Sequence, residues 1–236
     1  MTPADHIPPD RDARTEGLRA VFGRAWSTVV GNAEGNSGQG IPALLAVLFE
    51  TEVWRPWLAD ALHLLSPAEQ ERVRRKLRTA DRDELALAYA LHRLVLGSFL
   101  SCDPAGIELD RDLSGRPFVH GNGLHTSLSH AHGAIAVAVS RQGFVGIDME
   151  PAARASELPE IATSVMHSSE VDALSRLSAA GRAHALLALW LRKEALLKAA
   201  GALARPRFCR GEDGGDVRAA PASVAGQRRQ RRMLEG

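Results

Sequence analysis

The sequence predicts an α+β fold. Two helices follow one another between Ser66 and Phe99, two strands lie between Ala134 and Glu150, and a long helix occupies 182–200. Each element has a local cause. Residues 1–40 carry little pattern, and the run from Gly31 to Gly40, GNAEGNSGQG, reads as a flexible linker. Ordered structure is therefore expected to begin near Ile41. The apolar run from Leu44 to Phe49 suits a buried strand or a short helix, and periodicity does not choose between them.

Ser66-Pro67-Ala68-Glu69 is a helix start, with a serine cap, a proline at the first helical position and a glutamate at the third. A basic helix follows, carrying Arg72, Arg74, Arg75, Lys76 and Arg78. The next helix, 81–99, places Leu85, Leu87, Leu91, Leu94, Val95 and Phe99 on a core-facing stripe. Beyond a polar loop at 110–117, Ala134 to Ser140 alternates small residues with Ile135, Val137 and Val139, as a strand does. Arg141-Gln142-Gly143 reads as a turn into a second strand, 144–150, making a hairpin. In that strand Asp148 and Glu150 share one face. A helix is expected at 158–166, and a shorter one capped by Ser169 with Asp172. The long helix stops at Gly201.

Composition narrows the function classes. The chain has 236 residues, 45% hydrophobic and 24% charged, with a net charge of +1. That balance, a single tyrosine and no recognisable nucleic-acid motif argue against a nucleic-acid partner. No apolar run approaches membrane-spanning length, and residues 1–14 lack the apolar core of a signal peptide. Only Cys102 and Cys209 are present, without metal-type spacing. A cytoplasmic location with no membrane partner is the expectation.

Three constellations carry chemistry. Asp148 and Glu150 could serve a hard cation such as Mg²⁺, which takes one or two carboxylates plus phosphate oxygens; alone, the pair equally suits an exposed strand face. Trp190, Glu194 and Lys198 stand four apart on one helical stripe. Glu194 and Lys198 could be an ordinary helix pair, or a partly buried pair that meets a metal or phosphate. Ser129-His130 could donate to a phosphate or make a turn. A Ser-His-Asp hydrolase is disfavoured, because adjacent Ser and His do not easily act as nucleophile and base and no elbow glycines flank the serine. Arg72, Arg75 and Arg116 offer guanidinium forks for phosphate, or a solvated basic surface.

In their order these pieces resemble the surfactin-synthetase-activating (Sfp-type) 4′-phosphopantetheinyl transferases. The carrying residues are Leu65-Ser66-Pro67-Ala68-Glu69, Gly115-Arg116-Pro117, Ser129-His130, Gly146-Ile147-Asp148-Met149-Glu150, Glu170, and the run from Trp190 to Gly201, WLRKEALLKAAG. The likeness spans roughly residues 45 to 203. It implies two similar α+β lobes related by a pseudo-two-fold axis: an N-terminal lobe over 41–140 and a C-terminal lobe with the metal site over 141–203. It implies transfer of the 4′-phosphopantetheine arm of coenzyme A to a serine of an acyl or peptidyl carrier protein, releasing adenosine 3′,5′-bisphosphate. By the same resemblance Asp148, Glu150 and Glu194 gather Mg²⁺, with Mn²⁺ as an alternative. Lys198 offsets charge on the breaking pyrophosphate. Glu194, directly or through a water, accepts the proton of the carrier serine. Ser129, His130, Arg72, Arg75, Arg116 and Lys198 hold the coenzyme A phosphates. A monomer is implied.

The chain departs from the family pattern in places. Glu84 stands near a position that is often Arg or Lys, Arg116 replaces a frequent lysine, and Ser127 replaces an asparagine two before the Ser-His pair. The segment 202–236 holds eight arginines and few large apolar residues. It is expected to be an atypical, truncated or frame-shifted tail that leaves the second lobe incomplete. The alternative reading is thus a catalytically impaired relic that only binds coenzyme A or a carrier protein.

Overall fold

The computed structural model describes residues 11–34, 43–121, 123–158 and 166–201. All of them belong to the first of the chain's two units, Met1–Ala204; the second is Arg205–Gly236. The described residues form an α+β fold around a five-stranded antiparallel sheet of order β1-β5-β4-β3-β2. Its strands are β1 (Leu44–Glu50), β2 (Leu109–Arg111), β3 (Pro117–Val119), β4 (His125–Ala131) and β5 (Ala134–Ser140).

Helix α1 (Arg11–Glu34) was not foreseen, since residues 1–40 read as patternless. Leu18, Val21, Phe22, Ala25 and Trp26 recur at helical spacing and pack on the main core, with Leu18 and Phe22 buried. Phe22 lies 6.2 Å from Phe49 and 6.0 Å from Trp54, which joins α1 to β1 and to the short helix α2 (Thr51–Trp54). A 3₁₀ turn, Arg55–Trp57, leads into α3 (Leu58–Leu64). Helix α4 (Pro67–Arg74) begins as its sequence dictates. The Ser66 hydroxyl accepts from the Glu69 amide, and the Glu69 carboxylate accepts from the Ser66 amide.

Helix α5 (Thr79–Leu100) is the centre of the molecule. Sequence spacing predicts one apolar stripe, yet every residue from 85 to 97 is buried. The cause is packing from several directions: the sheet on one side, α3 and α4 on others. Two polar side chains are carried into this core. Arg93, 1% exposed, donates to the Glu69 carboxylate at 2.7 Å and to the carbonyls of Pro104 and Ile107. His92 meets the Thr126 hydroxyl at 2.7 Å through Nε2. That hydroxyl donates to the Ala138 carbonyl, so His92 must be the Nε2–H tautomer, and its buried Nδ1 has no partner.

Strand β5 matches its predicted span, but its hairpin partner differs. Residues 144–150 form no strand; β5 pairs with β4 through a tight turn in which His132 and Gly133 both have positive φ. With β1 on its other side, β5 has no free edge for 144–150. Strand β1 is itself an edge strand, with Leu45, Val47 and Phe49 inward and Leu44 and Leu48 exposed, rather than a fully buried run.

After Ser140 the described residues form no further strand. A 3₁₀ turn (Ala152–Ser156) precedes α6 (Ser168–Ser175) and α7 (Ala179–Ala200). The helix expected at 158–166 falls largely outside the described residues. The cap of α6 is His167, with Glu170 completing the box, not Ser169. Helix α7 ends on Gly201 in the left-handed region, as predicted. Ala155, Leu158, Leu186 and Leu187 form a small second core with Trp190 and Leu191 packed on it. No helix of the described residues is long and apolar enough to cross a membrane.

Candidate active site between strand β4 and helix α7

Strand β4 presents alternate side chains to two different environments. Thr126, Leu128 and His130 face α5 and the main core. Ser127 and Ser129 face the segment 144–150. In register with them on β5 stand Ala138 and Ala136, whereas the bulky Ile135, Val137 and Val139 face the core. The small residues on the outer face let a chain segment lie close to the sheet.

That segment is wedged between the sheet and α7. The Ile147 amide donates to the Ser127 hydroxyl at 3.1 Å. At Gly146 the backbone is so close to α7 that an added Cβ would lie 1.8 Å from the Ala195 carbonyl oxygen, so only glycine fits. From α7, Lys198 reaches over the segment. Its ammonium donates to Asp148 Oδ1 at 2.5 Å, to the Ile147 carbonyl at 3.0 Å and to Ser129 Oγ at 3.2 Å. Ser129 in turn donates to Asp148 Oδ1 at 2.9 Å. Asp148, Ser129 and Lys198, separated by up to 69 residues in sequence, therefore meet at one point. The side chains of Asp148 and Lys198 are 12% and 20% exposed, so their charges are screened less than a surface pair and remain within a ligand's reach.

The three oxygens around the Lys198 ammonium, one of them a carboxylate, are the donor chemistry a cation seeks. Among the described residues, however, no group of three or more His, Cys, Asp or Glu is gathered as a metal set. Asp148 is paired with Lys198, and Glu150 lies 3.5 Å from Arg154. Glu194 stands one turn before Lys198 on α7. The donor types fit a hard cation, while the cation seated on Asp148 here is the chain's own lysine.

Other predicted residues are placed differently from expectation. Ser129 and His130 are adjacent in sequence but point to opposite faces of the sheet. His130 Nδ1 donates to Glu84 Oε1 at 2.8 Å on the α5 side. The Arg116 guanidinium is spent on Asp112 at 3.1 Å, on the Ala199 carbonyl at the end of α7 at 3.2 Å, and on the Phe144 ring at 4.4 Å. Asp112 is held below the usual carboxylate range chiefly by the Ser114 hydroxyl, with the Arg116 amide and guanidinium adding to it. Arg75 pairs with Glu71 on an exposed surface, and Arg72 is half-buried on the same helix. Glu170 pairs with Lys193 at 2.5 Å. Hydrogen bonds from Lys193 first, and then from the His167 amide, hold its carboxyl below the ordinary value.

Sequence reasoning did not find Phe144, which stacks on Arg116 and meets His125 edge-on at 4.5 Å, nor the pairing of Glu84 with His130. Neither leaves a local signal: Glu84 and His130 are 46 residues apart. Arg116, Phe118, His125 and Phe144 border a cleft of about 170 Å³, smaller than the roughly 300–1,000 Å³ of a typical ligand pocket.

Comparison with known proteins finds two similarities. A family model described as the 4′-phosphopantetheinyl transferase superfamily matches residues 144–221. The match includes Gly146, Asp148, Glu150, Glu194 and Lys198, and it runs past Gly201 into the segment that composition set apart. The 4′-phosphopantetheinyl transferase HetI of Nostoc sp. (strain PCC 7120 / SAG 25.82 / UTEX 2576) is 27% identical over 171 residues, which cover 68% of this chain and 72% of HetI. Both comparisons find this chain similar to 4′-phosphopantetheinyl transferases, the family model over about a third of its length.

Proposed function

We propose that the protein transfers the 4′-phosphopantetheine group of coenzyme A to a serine of an acyl or peptidyl carrier protein. The observation that carries this reading is the convergence of Lys198, Asp148 and Ser129 between β4 and α7, inside the segment matched by the family model. The carrier serine oxygen bonds to the phosphorus that bears the pantetheine. The pyrophosphate P–O bond breaks, and adenosine 3′,5′-bisphosphate leaves with the electron pair. Glu194 takes the serine proton. Lys198 exchanges Asp148 for a phosphate oxygen and offsets the charge that develops there. Asp148, Glu150 and Glu194 would hold Mg²⁺, which supplies charge neutralisation on the pyrophosphate when bound. Ser129, His130, Arg72, Arg75 and Arg116 are the proposed phosphate contacts, with Arg116 and Arg75 first giving up Asp112 and Glu71. In this reading the two hydrophobic cores mark two lobes, with coenzyme A between them.

The test is mass spectrometry of apo carrier domains incubated with the protein, coenzyme A and Mg²⁺. The expected result is one added phosphopantetheine on the carrier serine, lost with Glu194→Gln and with chelator. The relic reading, motivated by the arginine-rich composition of 202–236, instead expects no gain on any carrier from a folded protein that still binds coenzyme A.

A further inference from the structure

We infer that Glu84 is the positioning residue for His130 and, through it, for one phosphate of coenzyme A; the phosphate part rests on the function proposed above. Both oxygens of the Glu84 carboxylate are engaged. Oε1 accepts from His130 Nδ1 at 2.8 Å, and Oε2 accepts from the Gly133 amide at 3.3 Å. The carboxylate thus bridges the first turns of α5 to the ring and to the β4–β5 turn at once. The Gly133 carbonyl is fixed too, accepting from the Thr51 amide at 2.7 Å. The turn that follows His130 is therefore clamped from two helices.

A carboxylate can only accept, so the Nδ1 of His130 carries the proton that faces it. That leaves Nε2 as the nitrogen open to a ligand, and among the described residues it takes no partner. The His130 and Glu84 side chains are 29% and 22% exposed, sheltered yet reachable. An imidazole oriented by a carboxylate on one nitrogen, with the other open, is how proteins aim a histidine at a ligand. Glu84 touches no phosphate itself in this scheme. It sets the ring's tautomer and direction, so that ligand binding need not also pay for ordering the ring.

The experiment is a double-mutant cycle on the full chain, reading coenzyme A affinity by calorimetry and steady-state constants on a carrier domain. Glu84→Gln is expected to weaken coenzyme A roughly three- to thirtyfold, raising KM far more than it lowers kcat. In a His130→Ala background the same change should add little. Nitrogen NMR of the histidine ring should show the Nδ1–H tautomer in the wild type and its loss in Glu84→Gln, a readout that needs no ligand. Three results would overturn the inference: a Glu84→Gln effect of equal size without His130, tighter coenzyme A binding in Glu84→Gln, or an Nε2–H tautomer in the wild type. Coenzyme A affinity that survives His130→Ala would overturn the phosphate part while leaving the proposed function intact. A wild-type protein that binds no coenzyme A would overturn the proposed function itself.

Discussion

The two faces of strand β4 obey different rules. On the α5 face, Thr126 and Leu128 belong to a closed core in which most polar groups are matched to one another, His92 Nδ1 being left without a partner. Arg93 has Glu69 and two carbonyls, and the Thr126 hydroxyl links His92 to the Ala138 carbonyl. On the α7 face, Ser129 joins a lysine and a carboxylate that stay within reach of solvent. Away from His130 near the β4–β5 turn, the first face spends its polar groups on holding the fold. The second keeps charged groups in an arrangement that a ligand can exchange. Residues one apart on a single strand can thus meet a closed core or a solvent-reachable charge cluster, because the pleat sends them to opposite faces.

The comparison breaks if charge removal on the two faces has the same consequence. Arg93→Met keeps much of the side-chain volume but leaves the Glu69 carboxylate buried with only the Ser66 amide. Breaking a buried pair in this way costs about 3–5 kcal/mol. Urea unfolding should show a large fall in midpoint at unchanged slope, while the folded fraction keeps the proposed carrier-loading activity. Lys198→Met should do the reverse. Its loss removes a cation from the proposed phosphate site and should lower kcat by about 10²–10³, with a smaller change in the urea midpoint. Equal stability losses in the two variants would show that Lys198 is a structural residue.

Much of this arrangement was legible in the sequence where its causes are local. The Ser66 capping box, the span of β5 and the Gly201 stop each depend on residues within a few positions of one another. Asp148 and Lys198, which the structure brings together, both stand in motifs the sequence singled out. Helix α1 was missed: Leu18, Val21, Phe22, Ala25 and Trp26 make a helical stripe that the surrounding charges and the glycine-rich run obscured. What could not be read depends on strand pairing and long-range contact. Residues 144–150 have strand composition, but β5 already had two neighbours. Ser129 and His130 read as one unit until β4 formed and sent them to opposite faces.

His92 sharpens the contrast through pH. Burial, followed by the charges of Arg111 and Arg93, lowers its pKa from the ordinary 6.5 to about 3. The unfolded chain therefore binds a proton at this site before the folded chain does. Stability from this group is complete above about pH 6.5 and is lost progressively as the pH falls toward 3. The slope should approach about 1.4 kcal/mol per pH unit in that window. His92→Gln keeps an N–H for Thr126 and does not titrate, so its urea midpoints between pH 6.5 and pH 4 should fall less steeply. An unchanged slope would place the acid sensitivity elsewhere.

The smallest effect belongs to neither face. Arg75 pairs with Glu71 at 3.1 Å, its side chain 74% exposed, and Glu71 also binds Arg74. Exposed pairs of this kind contribute little to stability, so Arg75→Ala should leave the urea midpoint nearly unmoved. Its effect on coenzyme A is the informative part. If Arg75 holds a phosphate as proposed, the substitution should raise the coenzyme A KM severalfold with stability intact, and more so at low salt. If KM does not move, the basic surface of α4 is solvated and the phosphate contacts lie with the residues that β4 and α7 bring together.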